Sequence, residues 1–131
     1  MVYMIISIVS KDKISLSMFV DFYKTLYDSN AEVLDLNSLT SRDVLDTIVK
    51  EAVGRYFEKK STGQTSLLIK LKTKKDVTLE ELPQEMARTS FYIIKFDLFS
   101  TKPEILKDTD NKLHPIIERW EMNIKKLNGE L

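Results

Sequence analysis

The chain has 131 residues, with 20 Lys and Arg balanced by 20 Asp and Glu, one histidine and no cysteine. That length suits one domain, 1–131, with enough core to fold without staples. The composition excludes disulfides, thiolate nucleophiles, sulfur-bound zinc and a His-rich metal site, and the even charge excludes a global pull toward nucleic acid or an acidic membrane.

The opening MVYMIISIVSKDK is too short an apolar run to span a bilayer. It also lacks the basic start and small-residue cleavage site of a signal peptide. The expectation is an intracellular, cytoplasmic protein without membrane contact. Tyr3 to Val9 (YMIISIV) is almost unbroken in apolar and β-branched residues, the mark of a strand covered on both faces, and so of a central parallel strand. From Met18 the pairs Met18/Phe19, Phe22/Tyr23 and Leu26/Tyr27 fall on one helical stripe, with Ser15 or Ser17 as its cap.

AEVLDL, Ala31 to Leu36, reads as a second strand. Thr40 and Asp43 make a capping-box-like start to a stripe running through Val44/Leu45, Ile48/Val49, Ala52/Val53 and Tyr56/Phe57. STGQ, Ser61 to Gln64, breaks that helix, and TSLLIKL, Thr65 to Leu71, follows as a third strand. Thr78 with Glu81 caps a short segment over Leu79, Leu82 and Met86, with Pro83 placed to weaken or restart it. FYIIKFDLF, Phe91 to Phe99, is a fourth strand; Pro115 opens a last helix carrying Ile116/Ile117, Trp120, Ile124 and Leu127, stopped by Gly129.

This order predicts an α/β fold: a three-layer sandwich with an about four-stranded, mainly parallel sheet of P-loop-like or flavodoxin-like type. Ligands of such sheets sit beyond the carboxyl ends of the strands. The turn SKDKISLS, Ser10 to Ser17, is therefore the first place to look for a site. A phosphate there is held by N–H groups at a helix start, by the helix dipole, and often by a lysine and a hydroxyl. The candidate cofactor-binding residues are Ser10, Lys11, Lys13, Ser15 and Ser17.

The phosphate-loop pattern lies on this turn without a gap: Ser10 and Ser15 fall on its two glycines, Leu16 on its lysine and Ser17 on its hydroxyl. IVSKDKISLSMFVDFYKTLY, Ile8 to Tyr27, resembles the opening of P-loop kinases of the nucleoside-monophosphate kinase type. DVTLEELPQEMARTSFYIIKFDLF, Asp76 to Phe99, is similar to a late helix-then-strand segment of the same proteins. That resemblance implies phosphoryl transfer from ATP with magnesium. Leu16 supplies none of the charge that the lysine would give, and the third strand is followed by Lys72, Thr73, Lys74 and Lys75 without a metal-holding carboxylate. Arginines for a phosphoryl clamp number four, Arg42, Arg55, Arg88 and Arg119. The resemblance so altered implies a fold that has lost the activity.

VSKDKISLS followed by AEVLDL also resembles flavodoxin-like NAD(P)H-dependent FMN reductases over the first third of the chain. Such a likeness implies flavin phosphate bound by the hydroxyls of Ser10, Ser15 and Ser17. Lys72 to Arg88 contains neither the glycine nor the aromatic residue of a flavin-cradling loop.

The eroded motif makes a plain strand-to-helix connection the expectation for the turn. Lys59, Lys60, Lys70, Lys72, Lys74 and Lys75 form a run without an acidic residue; solvated surface is the expected role, and a local nucleic-acid patch the alternative. His114 is expected at a helix start as a cap or surface group, and Asp97, within the fourth strand, as paired or exposed. Trp120 is expected in the core, with a helix covering a sheet edge or forming a dimer seam as the alternative. The leading functional expectation is a non-catalytic scaffold that binds a protein partner or forms a homo-oligomer, with neither metal nor cofactor. An FMN-binding oxidoreductase and a nucleotide-binding or nucleic-acid accessory protein are the rivals.

Overall fold

The computed structural model describes residues 4–59, 66–97 and 102–129. Strand β1 covers Met4–Ser10, helix α1 Lys13–Leu26, β2 Glu32–Asn37, α2 Arg42–Lys59 and β3 Ser66–Lys72. A single 3₁₀ turn, Leu79–Glu81, leads to the short α3, Gln84–Thr89, then β4, Tyr92–Phe96, β5, Glu104–Asp108, and α4, His114–Leu127. The strands form one sheet in the order β2-β3-β1-β4-β5. The first four are parallel, and β5 returns antiparallel to β4 with a bulge between Ile93 and Ile94.

The architecture is the expected three-layer α/β sandwich, with five strands in place of about four. β1 sits at the centre, and its alternation divides the core. Ile6 and Ile8 face α1 and α4, whereas Ile5 and Val9 face α2 and α3. Ser7, on the second face, exchanges a 2.6 Å hydroxyl hydrogen bond with Ser90 at the end of α3. Both hydroxyls are buried, and each supplies the partner the other needs.

The layer of α1 and α4 is aromatic. Trp120 of α4 meets Phe19, Phe22 and Phe96 with ring centroids 5.3–5.4 Å apart, in edge-on geometry. It lies over the face of the sheet, so α4 covers that face, and the sheet edges belong to β2 and β5. The other layer is mostly aliphatic, with Leu45, Val49, Val53 and Tyr56 of α2 packed on Ile69, Leu71 and Ile93.

Several element ends differ from expectation. α1 begins at Lys13, five residues before Met18, and Asp12 caps it in place of Ser15 or Ser17. An ionised carboxylate is the better acceptor for free helix N–H groups. Ser41, one residue after Thr40, has its hydroxyl 3.4 Å from the Val44 N–H at the start of α2. Thr78 and Glu81 do form a capping box, with the Thr78 N–H donating to Glu81 Oε1 at 3.1 Å. The helix restarts after Pro83, which contributes no N–H donor of its own.

Asp97 lies just past β4 and is exposed. His114 is the exposed first residue of α4, with Nε2 2.9 Å from Glu118 Oε1. Gly129 has a φ of +74°, the left-handed conformation that suits glycine at a helix end. The expected helix break at Ser61 to Gln64, the strand ends at Tyr3, Thr65 and Phe99, and Lys60 fall outside the described residues.

Candidate functional site

Helix α1 follows β1 on one face of the sheet, while the 3₁₀ turn and α3 follow β3 on the other. β1 and β3 are neighbours, so their carboxyl ends form the switch point where open α/β sheets take ligands. The β1–β3 ladder runs on to that point: the Thr73 N–H donates to the Ser10 carbonyl at 2.9 Å, and Thr73 is buried. Ser10 is also buried. Its hydroxyl donates to the Phe96 carbonyl at 2.8 Å and accepts the Asp12 N–H at 2.9 Å, tying β1, β4 and the turn together.

The start of α1 is closed by the chain's own anion. Asp12 Oδ1 accepts the Ile14 N–H at 3.1 Å, and Oδ2 accepts the Ser15 N–H at 3.2 Å and the Ser15 hydroxyl at 2.7 Å. Partial burial raises the Asp12 pKa, but these three bonds outweigh it and hold the carboxyl below the usual carboxylate range. The carboxylate thus takes the donors that a bound phosphate would use. Leu16, at the position of the phosphate-loop lysine, is a core residue packed beneath α1.

The five candidate residues therefore separate. Ser10 and Ser15 join one network through Asp12. Lys11 turns to Asp76, 3.5 Å away, in an exposed pair. Ser17 is half-buried further along α1 and takes part in none of these bonds. Lys13 lines a groove of 380 Å³ beside the turn, between the start of α1 and the ends of β2 and β3.

Comparisons of this chain with protein-family models, curated proteins and solved structures found no match. The reading of the site rests on its own geometry.

That groove has Leu16 and the β2 backbone at Leu36 at its base, the Leu36 side chain itself being packed on the other face of the sheet, and its walls carry Lys70 and Lys72 from β3 opposite Asp35 and Asn37 from β2. The strand register sets this arrangement, because Asp35 pairs with Lys70 and Asn37 with Lys72 on one face. Lys70 Nζ lies 3.1 Å from Asp35 Oδ1. The Asn37 side-chain Oδ1 accepts the Leu39 N–H at 3.0 Å. The lysine run expected as one surface is split: Lys59 reaches Glu32 at the amino end of β2, while Lys70 and Lys72 lie at the carboxyl end of β3. Lys75 pairs with Glu81 at 3.8 Å.

Sequence reasoning missed Asp12, although an aspartate placed just before a helix is a readable N-cap signal. It also missed the groove. The alternations LDLN and IKLK carried half of that information, since they place the polar residues of each strand on one face. The pairing that brings the two faces side by side was not in either segment. Among the described residues, no group of His, Asp and Glu side chains is placed to hold a metal ion, and no helix is long and apolar enough to cross a membrane.

Proposed function

We propose that this protein is a non-catalytic binding protein, an α/β scaffold that acts through a protein partner or by assembling with itself. One observation carries the reading: the place of a catalytic phosphate at the start of α1 is filled by the Asp12 carboxylate. A phosphoryl-transfer site needs positive charge where the transferring group develops negative charge, and here that position holds an internal anion above a buried leucine. Exposed Leu26 and Leu127 lie together with Met18 and Phe22 around one groove between α1 and α4, an apolar patch that supports a role in contacts with other chains. The flavin rival is disfavoured by strand order, because flavodoxin-like sheets run 2-1-3-4-5 and here β3 stands between β1 and β2.

The test is an ATP and GTP hydrolysis assay with magnesium on the full chain, run beside light-scattering mass measurement over a range of concentrations. No turnover above the blank is expected, in the wild type or in a Ser17→Ala variant. Turnover that disappears in Ser17→Ala would overturn the reading.

A further inference from the structure

The groove beside the turn differs from it in one chemical respect: its side-chain acceptors are engaged, while the donors of Lys13, Lys72 and the Asn37 amide are not. Asp35 is bound to Lys70, the Asn37 oxygen is taken by the Leu39 N–H, and the nearby Asp12 carboxylate is spent on α1. Among the described residues no carboxylate pairs with Lys13 or Lys72. With its oxygen occupied, Asn37 presents its amide N–H groups. The lining carries three ammonium groups against one carboxylate, an excess of two positive charges. A ligand that completes this set must bring acceptor oxygens and about two negative charges, the description of a phosphate monoester at neutral pH.

The rest of the groove says what the phosphate is attached to. Its base is Leu16 with the β2 backbone at Leu36, the aliphatic stems of Lys13, Lys70 and Lys72 add apolar surface, and its 380 Å³ exceeds what a lone phosphate needs. From these features we infer that the groove binds a small organic phosphomonoester, its phosphate between Lys13, Lys72 and Asn37 and its organic part against Leu16 and the lysine stems. The inference goes beyond the non-catalytic reading and does not depend on it, since occupancy of this groove requires no turnover. Bringing phosphate here needs no rearrangement of the Asp12 cap.

The probes are AMP, inorganic phosphate and adenosine, each titrated into the ¹⁵N-labelled full chain at low ionic strength while backbone amide shifts are followed. AMP is expected to move the amides of Lys13, Asn37, Ser38 and Lys72, and to bind more tightly than inorganic phosphate; adenosine is expected to leave them unmoved. Lys13→Ala and Lys72→Ala should each weaken AMP about tenfold, the loss of one charge-assisted contact. Lys126→Glu, on the far part of α4, should leave affinity unchanged and so separates a local site from net charge. Both lysines are at least partly exposed, so the variants retain the fold, which the unperturbed part of each spectrum verifies. Unmoved groove amides would overturn the inference, as would AMP affinity equal in wild type and both lysine variants, or equal binding of AMP and inorganic phosphate. ATP hydrolysis would overturn the proposed function and leave this result standing.

Discussion

The β1–α1 turn and the groove beside it are built from the same materials, a helix start, hydroxyl or amide groups and lysines, yet they end in opposite states. In the turn the backbone and hydroxyl donors at the helix start are matched within the chain: Ser10 bridges two strands, and Asp12 accepts the Ile14 and Ser15 N–H groups of α1. In the groove the matching stops short, with Lys13, Lys72 and the Asn37 amide left over. The lesson is that the residue types at the default site of a fold do not make a site. What counts is which donors remain after local hydrogen bonding is complete.

The sharpest way to break that contrast is to restore the missing charge. Leu16→Lys should destabilise the protein by about 2–4 kcal/mol, because it replaces a core side chain and must bring an ammonium group through a packed surface. Urea unfolding reads the loss. The same variant should gain no affinity for ATP with magnesium; a gain would show that the Asp12 cap yields to phosphate and that the two regions differ by one residue only.

A smaller effect tests the seal itself. Asp12→Ala should cost about 1 kcal/mol at neutral pH, the usual value of a helix cap. The folded pKa of Asp12 lies below its unfolded value, so its carboxylate contributes fully above the unfolded carboxylate range. That contribution fades as pH falls through the folded value. The stability gap between wild type and Asp12→Ala should therefore narrow in acid, and a gap constant down to the acid limit would show that charge plays no part in the cap.

The smallest expected effect lies across the groove. A double-mutant cycle on Lys70→Met and Asp35→Asn should return a coupling of about 0.5 kcal/mol, because the Asp35 side chain is 74 % exposed and water screens the pair. Salt should reduce it further. A coupling several times larger would mean that the groove is held shut by this pair and is not a standing cavity.

The successes and misses of sequence reading divide along physical lines. Long periodic segments were readable because burial imposes their period: the stripe through Leu45, Val49, Val53 and Tyr56 faces the sheet as expected. β5 was not read as a strand. Its residues Glu104–Asp108 lie at an edge, none of them is buried, and their one apolar pair shows no alternation to detect. The start of α1 was set too late because hydrophobic spacing reports only the buried part of a helix, and its first turn is largely polar or exposed. The lysine run looked like one feature since its members are close in sequence; a parallel sheet carries Lys59 and Lys72 to opposite ends.

By itself the sequence determined the alternation of strands and helices, the central place of β1 and the absence of a phosphate-loop lysine and glycines from the first turn, since each is written in local composition and period. Only the tertiary structure decided that β3 lies between β1 and β2, that Asp12 closes α1, and that Lys13, Lys70 and Lys72 meet across a groove. Those outcomes depend on strand register and on which polar atoms are already satisfied, and neither is a property of any single segment.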